Sequence, residues 1–386
     1  MAEIAVVHPD LETRGGAESV CMHVLETLQA DHQLTLLTLN RPDIRALNRY
    51  YQTEVRPPDV RLAGRLGPLV TRLAGYRFAR LQAALLGRYA RDCATEFDLV
   101  FGTKNELGIE GSSIQYVLNP QFAAADPGID RTNAVRQAYN RVCQQIVGVS
   151  ERTLRSATYL ATSDWTADAL EDTYSVRAET IYPPVDVSAF PGQPWDDREV
   201  GFVTIGRIGP SKRILRNVEI VTHLRQRGHD VHLHVAGPTT DGEYAEHVER
   251  VAAEKSFVSI EGSLSREELI DLIVTHKYGL HGRPYEHFGI AVAELVAGGT
   301  IPFAPDSGGQ REILGGDSRL LYDSAEDAVE TIDAVLSDRN TRHDLRASLN
   351  DAASAFGRDR FAEEIRTVVG RELAKPEPIG VSQPNR

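Results

Sequence analysis

The sequence has 386 residues, 41% of them hydrophobic, and a formal net charge of −13 at pH 7. This length exceeds what one hydrophobic core usually holds and suits two domains of about 150–200 residues each. Because 55 acidic residues outnumber 42 basic ones, the surface is expected to be acidic, which argues against nucleic acid as a partner. The three cysteines are widely spaced, so neither a disulfide framework nor a cysteine zinc site is expected.

Membrane insertion and secretion are also not expected. The sequence contains no run of 18 apolar residues long enough to span a bilayer. The start Met1–Ile4 runs directly into a strand pattern and lacks the basic and apolar regions of a secretory signal. We therefore expect a cytoplasmic protein.

The first half of the chain alternates short apolar runs with longer helical patterns. Such alternation predicts a parallel sheet covered by helices on both faces. The expected strands are 4–8, 34–39, 99–102, 114–118 and 159–162, and the expected helices are 17–28, 69–96, 133–149 and 165–174.

A proline-rich segment interrupts this rhythm at 182–194, where four prolines and a glycine exclude a helix or a central strand. The same alternation then resumes. Strands are expected at 200–205, 231–236, 258–260, 278–281 and 301–304, and helices at 213–227, 244–253, 266–275, 288–297, 325–336 and over 341–370.

These patterns predict an α/β protein of two Rossmann-like, doubly wound domains that face each other across a cleft. The expected boundaries are 1–190, 191–370 and a disordered, polar tail at 371–386. Ligands of open parallel sheets bind at the carboxyl ends of the strands, so functional residues are expected in the loops that follow strands.

Two glutamates in the second half carry the most specific pattern. Glu286 lies in a loop between a predicted strand and a helix, and Glu294 lies two turns inside that helix among apolar neighbours. A carboxylate there needs a hydrogen-bonding partner, and a ribose hydroxyl pair would supply one. The helix start near 288–290 offers free N–H groups for a diphosphate. The alternative is a structural carboxylate that caps a neighbouring loop.

Three further loops carry glycines or cations directly after strands. In 206–213, Arg207 and Lys212 would stabilise a departing diphosphate, or else they are solvated cations. Gly15 and Gly16 would let the backbone approach a ligand before the first helix. Gly308 and Gly309 form a similar turn. Each glycine pair is alternatively a plain turn.

Taken together and in this order, the motifs resemble the GT-B-fold retaining glycosyltransferases of family 4. The runs 163–166 and 181–186 also look like that family, and 281–290 with 297–301 is similar to the mannosyltransferases that act on the cytosolic face in lipid-linked oligosaccharide assembly. The resemblance spans roughly residues 4–370.

The resemblance implies a place in glycan biosynthesis, retention of the anomeric configuration, a GDP- or UDP-sugar donor, and neither a bound metal nor a cofactor. Arg207 and Lys212 would hold the diphosphate, Glu286 would contact the sugar hydroxyls and Glu294 the ribose. Backbone N–H groups of Phe288, Gly289 and Ile290 would bind phosphate. The loop of Gly262, Ser263 and Leu264 would lie near the base.

One position departs from the family pattern. Leu118 stands where the resembled mannosyltransferases tend to have a histidine near the transferred sugar. Either Asn119 or a residue such as Lys104 takes that role, or the acceptor differs.

Residues 60–91 contain seven arginines interleaved with apolar side chains and no acidic residue. A basic amphipathic segment of this kind suits an anionic membrane surface, which would fit a lipid-linked acceptor. The alternative is a helix packed on the sheet with solvated arginines.

Three functions follow from these patterns. The first is transfer of a hexose, with mannose favoured, to a glycan or lipid-linked saccharide. The second is a soluble transferase or nucleotide-sugar epimerase of the same fold that makes a small metabolite. The third is a nucleotide-sugar-binding protein without catalysis.

Overall fold

The computed structural model describes residues 1–13, 15–63, 79–120, 134–239 and 242–375. The chain divides into two compact units, one formed by Met1–Tyr182 with Phe361–Arg386 and the other by Pro183–Arg360. The domain boundaries therefore differ from the prediction, which continued the first domain to residue 190 and assigned 361–370 to the second. The predicted tail at 371–386 lies outside the described residues from 376 onward.

The first unit contains a seven-stranded parallel sheet in the order β3-β2-β1-β4-β5-β6-β7. Its strands are β1 (Glu3–Val7), β2 (Gln33–Thr38), β3 (Asp59–Leu62), β4 (Leu99–Gly102), β5 (Ser113–Val117), β6 (Thr158–Ala161) and β7 (Ala178–Thr180). Its first six described helices are α1 (Gly16–Leu28), α2 (Ile44–Tyr51), α3 (Ala79–Cys93), α4 (Ala134–Val147), α5 (Glu151–Ser156) and α6 (Asp164–Tyr174).

Both faces of this sheet are buried, as the continuous apolar run of β1 predicts. Ile4 and Val6 belong to a core cluster with Val20 and Leu25 of α1. Ala5 and Val7 face the other way, into a cluster that includes two residues of α3 (Leu86 and Ala90). Because side chains alternate along a strand, β1 lies between two helical layers.

The second unit contains a six-stranded parallel sheet in the order β10-β9-β8-β11-β12-β13. Its strands are β8 (Glu199–Ile205), β9 (His232–Ala236), β10 (Val258–Gly262), β11 (His276–Leu280), β12 (Ile301–Pro305) and β13 (Leu321–Tyr322). Its helices are α7 (Ile214–Gln226), α8 (Gly242–Ala253), α9 (Arg266–Thr275), α10 (Ile290–Ala297), α11 (Gln310–Ile313), α12 (Ala325–Ser337) and α13 (Arg339–Ala353).

Helix α14 (Arg358–Leu373) follows α13 after a short 3-10 turn at Ser354–Phe356. Its buried side chains Phe361, Ile365, Val368 and Val369 recur at helical spacing and join the core of the first unit. The prediction of helix over 341–370 missed this break. The break occurs where Gly357 pairs with Val185 in an isolated parallel bridge.

The prediction of two Rossmann-like parallel-sheet domains is confirmed. All ten predicted strands are present, within two residues at each end. The short strands β3, β7 and β13 and the helices α2, α5 and α11 were not predicted.

Part of the basic segment 60–91 lies outside the described residues, at 64–78. The described part of α3 buries Leu86 and Ala90 against the sheet, while Arg88 is exposed. Among the described helices, none is long and apolar enough to cross a membrane.

Candidate functional site

Both sheets reverse their strand order at one point, the switch point, which is where open α/β sheets bind ligands. β1 lies between β2 and β4, and β8 lies between β9 and β11. The loops that leave these strands at their carboxyl ends carry buried charged clusters in both units.

Close backbone contacts join the loops after β8, β9 and β10. Gly206 has a φ of 141° and donates its N–H to the carbonyl of Ala236. Gly237 has a φ of 150°, and a Cβ there would overlap the Gly206 carbonyl, so glycine is required. The Gly237 N–H in turn donates to the carbonyl of Gly262 at 2.7 Å.

Lys212 ends a 3-10 turn at Pro210–Lys212 in the loop after β8. Arg213 follows in the left-handed conformation, with a φ of 51°, and α7 then begins at Ile214. The Lys212 ammonium contacts the Glu286 carboxylate directly. Both side chains are largely buried, so the pair is shielded from solvent.

Glu286 lies in the loop after β11 and is the centre of a charged cluster. Besides Lys212, its carboxylate lies 3.3 Å from Nε2 of the buried His281 and 3.8 Å from the Arg283 guanidinium. The backbone of Glu286 pairs with Gly308, and its carbonyl accepts the Gly309 N–H at 2.8 Å. The loop after β12 thus holds Glu286 in place.

The cluster keeps Glu286 ionised. Burial on its own raises the pKa of this carboxyl, but Lys212, His281 and Arg283 outweigh it and hold the pKa well below its ordinary value. Burial lowers the pKa of His281, so the imidazole is neutral at neutral pH. The site therefore combines a fixed carboxylate, an ammonium and a neutral imidazole, which together suit polar recognition.

Helix α10 begins at Ile290, two residues later than predicted. Gly289 is its N-cap residue, with a φ of 105°, and its carbonyl accepts N–H groups of Val292 and Ala293. The first N–H groups of a helix have no partner within the helix, so Gly289 and Ile290 present the anion-favouring end. Phe288 is buried and packs against Phe356 with ring centroids 5.6 Å apart.

Glu294 lies in α10, as predicted, and forms an ion pair with Arg266. Arg266 is the first residue of α9 and also lies over the Phe190 ring, 5.4 Å from its centroid. No sequence pattern indicated Arg266, although a carboxylate inside an apolar helix predicts that Glu294 has a partner.

Two other parts of the predicted site, Arg207 and the loop of Gly262, Ser263 and Leu264, form no ion pairs among the described residues. Arg207 is exposed and has no ion pair among the described residues. Gly262 ends β10 with a φ of 67°, Ser263 is exposed and Leu264 is half-buried. The structure thus joins Lys212 to Glu286 and leaves Arg207 in solvent.

A second cluster lies at the switch point of the first unit. Nδ1 of the buried His8 is 2.8 Å from Oγ1 of Thr103. Its Nε2 is 3.4 Å from Oε1 of Glu18, and the Lys104 ammonium is 3.1 Å from the same oxygen. Burial on its own raises the pKa of Glu18, but the contacts with His8 and Lys104 outweigh burial and bring this pKa below its ordinary value. Burial lowers the pKa of His8.

The predicted glycine turn supports this cluster. Gly15 caps α1, and its N–H donates to Oε2 of Glu18 at 2.8 Å, a capping-box contact. Gly16 is the first residue of the helix. Asn119 follows β5, next to Leu118, whose N–H donates to the Lys104 carbonyl. The loop of Asn119 is therefore joined to the loop of Lys104.

Comparison with known protein families finds a match within the second unit. Residues 188–350, nearly all of that unit, match the family described as Glycosyl transferases group 1. The match covers less than half of the chain and shows that the second unit is similar to group 1 glycosyltransferases.

Curated relatives resemble part of the chain. A GDP-Man:Man(3)GlcNAc(2)-PP-Dol alpha-1,2-mannosyltransferase of Caenorhabditis elegans is 26% identical over 226 residues, which is 52% of this chain and 48% of the relative. The enzyme of the same name from Dictyostelium discoideum is 25% identical over 52% of this chain and 44% of its own length. The matched region thus spans less than half the length of these relatives.

Solved structures share the whole fold. HepE of Anabaena, solved in complex with UDP and glucose, superposes with a TM-score of 0.70 at 13% identity, covering 96% of this chain and 100% of HepE. WaaG, a glycosyltransferase involved in lipopolysaccharide biosynthesis, gives a TM-score of 0.71 at 14% identity over 95% and 99%. The chain therefore has the GT-B fold, and its second unit matches the group 1 glycosyltransferase family over residues 188–350.

Proposed function

We propose that this protein is a retaining glycosyltransferase of family 4 type that moves a hexose from a GDP- or UDP-sugar to a glycan or a lipid-linked saccharide. Mannose from GDP-mannose is the favoured donor, because the named curated relatives use GDP-Man. The observation that carries the proposal is the buried Lys212–Glu286 pair at the switch point of the unit that matches the group 1 glycosyltransferase family.

In this proposal the second unit binds the donor. Lys212 holds the diphosphate, assisted by the N–H groups that begin α10 and by the exposed guanidinium of Arg207. Glu286 contacts hydroxyls of the sugar, and its low pKa keeps it an acceptor of their hydrogen bonds. Glu294, oriented by Arg266, binds the ribose. The loop of Gly262, Ser263 and Leu264 lies near the base.

The chemistry needs no protein base and no bound metal. The acceptor hydroxyl oxygen attacks the anomeric carbon on the face from which the phosphate leaves. The bond between that carbon and the phosphate oxygen breaks, and the departing phosphate takes the hydroxyl proton. The protein contributes positioning and stabilises the charge that grows on the diphosphate. Lys212 is the group best placed to do so.

The first unit is proposed to bind the acceptor. Its switch point holds Lys104 beside the buried Glu18, and the loop of Asn119 is hydrogen-bonded to the loop of Lys104. One of these two residues would take the role of the histidine that Leu118 replaces. Asn119 and the backbone of Gly15 and Gly16 would contact substrate.

We further propose peripheral attachment to an anionic membrane surface on the cytoplasmic side through residues 60–91. Binding at low salt to vesicles that contain anionic lipid, and release at high salt, would support this attachment. Equal recovery with purely zwitterionic vesicles would contradict it.

The donor is identified by thermal unfolding in EDTA with GDP, UDP and ADP, each alone and as its sugar conjugate. A ligand of the folded state at a hundredfold excess over its dissociation constant adds about 2.7 kcal/mol of stability. We expect stabilisation by one nucleotide, with GDP favoured, undiminished by EDTA. Stabilisation by none of them would contradict a nucleotide-sugar site.

Matched variants locate the site. Glu286→Gln removes one charge from the cluster, and Glu326→Gln makes the same change at the exposed start of α12. Stabilisation by the donor sugar is expected to fall in the first variant and to stay unchanged in the second. Hydrolysis or transfer of the sugar by the unmodified chain then distinguishes an enzyme from a protein that only binds nucleotide sugars.

A further inference from the structure

Three imidazoles meet at the amino ends of the strands of the second sheet, whereas the Lys212–Glu286 pair lies beyond the carboxyl ends. His232 and His234 are the first and third residues of β9, so their side chains share one face of the sheet. His276 is the first residue of β11. These positions lie toward the amino ends of the strands, whereas the loops of Lys212 and Glu286 follow the carboxyl ends.

A glycine on the strand between them makes room for the rings. Gly201 of β8 is paired in register with His232, and a Cβ at Gly201 would overlap the His232 ring. With no side chain on β8 to separate them, Nε2 of His232 and Nε2 of His276 lie 3.1 Å apart. One ring nitrogen from each of the three histidines lies within 4.8 Å of the others.

Outer hydrogen bonds orient two of the rings. Nδ1 of His276 is 2.8 Å from the carbonyl of Leu272, to which it donates its proton, so Nε2 is left as a lone-pair donor. Nδ1 of His234 is 2.7 Å from the Glu261 carboxylate, which likewise accepts its proton. A carbonyl or carboxylate behind the imidazole is the arrangement that fixes the tautomer of metal-binding histidines.

A carboxylate completes the group. Oε2 of Glu199, the first residue of β8, lies 3.4 Å from Nε2 of His232 and 3.9 Å from Nε2 of His276. The Nε2 lone pair of His276 faces Nε2 of His232 at 3.1 Å, so either a shared proton or a metal cation lies between the two nitrogens. The nearby anion favours such a cation.

We propose that His232, His234, His276 and Glu199 bind one divalent transition-metal ion of the zinc class. Three imidazole nitrogens and one carboxylate oxygen form a ligand set that Zn²⁺ accepts with tetrahedral geometry. The ligands come from β8, β9 and β11, so the ion would join three adjacent strands and stabilise the unit. The expectation of no cysteine zinc site is unaffected, and the metal takes no part in sugar transfer.

The test uses the full chain without an affinity tag, stripped with EDTA and dialysed. Titration with Zn²⁺ by calorimetry is expected to give one ion per chain and a higher unfolding temperature. Co²⁺ is expected to give the visible bands of a tetrahedral nitrogen-rich site. Absence of stoichiometric binding would overturn the proposal and leave a shared proton between His232 and His276 as the explanation of their contact.

Variants tie binding to this cluster. His234→Ala removes a half-exposed ligand and is expected to abolish stoichiometric binding. Glu261→Gln keeps all the ligands but weakens the support of His234, and the expected loss of affinity is about 10- to 100-fold. His343→Ala removes an exposed histidine elsewhere and is expected to bind as the unmodified chain does. Equal Zn²⁺ affinity in all three variants would overturn the proposal.

Discussion

Lys212 is the main counter-charge of Glu286 in a buried position and helps to hold the pKa of that carboxyl well below its ordinary value. Sequence spacing had placed the two residues in separate motifs, 74 positions apart in the chain. The strand order brings the loops after β8 and β11 together, since these strands are neighbours in the sheet.

Lys212→Ala is expected to lower the turnover of sugar transfer by about 10²–10³-fold while changing donor affinity much less. The ammonium interacts most strongly with the diphosphate as its charge grows during bond cleavage. Arg207→Ala is expected to act in the same direction with a smaller effect, because Arg207 is exposed. Steady-state kinetics with saturating acceptor measure both parameters.

The matched control for Lys212→Ala is Lys255→Ala, which removes an ammonium that lies near the Phe257 ring, outside the cluster. Kinetics are expected to be unchanged in this control. Normal turnover in Lys212→Ala would exclude the assignment of Lys212 to the leaving group.

Glu18→Gln is expected to lower the free energy of unfolding by about 1–3 kcal/mol at neutral pH, because it weakens the contacts with His8 and Lys104. The pKa of Glu18 is lower in the folded chain than its ordinary value of 4.5. The contribution of Glu18 to the free energy of unfolding is therefore complete above pH 4.5. It is lost as the pH falls from 4.5 toward the pKa of the folded chain.

Urea unfolding of both chains at a series of pH values checks this sign. The difference between the unmodified chain and Glu18→Gln is expected to be largest near pH 7 and to shrink below about pH 4.5. Glu363→Gln, an exposed substitution on α14, is the control. A difference that grows on acidification would show that Glu18 is protonated in the folded chain.

At the scale of elements, the loop after β12 positions Glu286 through a glycine that no other residue replaces well. Gly308 has a φ of 70°, and a Cβ there would overlap the backbone of Glu286. Gly315 has a similar φ of 63° but has open space where the Cβ would be. The two glycines share a left-handed backbone conformation, but only Gly308 lies against the backbone of Glu286.

Gly308→Ala is therefore expected to displace Glu286 and to remove stabilisation by the donor nucleotide sugar. Gly315→Ala is expected to cost only the left-handed conformation, about 1–2 kcal/mol of unfolding free energy, and to keep the ligand effect. Thermal unfolding with and without donor measures both quantities. Equal retention of the ligand effect in the two variants would contradict a positioning role for this loop.

The elements that sequence reasoning predicted are those with strong local patterns. Ile4–Val7 of β1 and all of β4 are consecutive buried apolar residues, which identify a strand covered on both faces. Strands β3 and β7 lie at the two edges of their sheet and are only partly buried, so they lack this pattern. β13 has two residues, too few for any periodicity.

In the candidate site, too, local sequence patterns indicated some residues and not others. Glu286 and Glu294 stood out because they are acidic residues next to a strand end or inside an apolar helix. Arg266 was missed because the start of an amphipathic helix is an ordinary place for an arginine. Its contact with Glu294 depends on how α9 and α10 pack, and no local pattern encodes that.

At the scale of the whole molecule, the last described helix, α14, packs in the core of the first unit, which also contains the start of the chain. The local sequence of α14 shows a buried stripe with helical spacing but does not indicate which core receives it. The contacts of Phe361 and Ile365 place the stripe in the first unit. Glu372 adds a polar contact there, because the Thr158 hydroxyl donates to its carboxylate at 2.6 Å.

This division predicts where two similar substitutions act. Phe361 packs in the core of the first unit, where its ring centroid lies 6.2 Å from that of Tyr116. Phe356, only five residues earlier, packs against Phe288 of the second unit. Removing a buried phenylalanine side chain costs about 3–5 kcal/mol, and that loss is expected to fall on the unit that holds the ring.

Hydrogen exchange measured by mass spectrometry locates the loss, because opening of one core lowers the protection of its own amides. Phe361→Ala is expected to raise exchange in β1, β4 and β5, while Phe356→Ala is expected to raise it in the segment around α10. Each variant serves as the control for the other, since the chemical change is the same. If Phe361→Ala instead raised exchange mainly in β8, β11 and β12, α14 would have to be assigned to the second unit, and the boundary at Arg360 would be wrong.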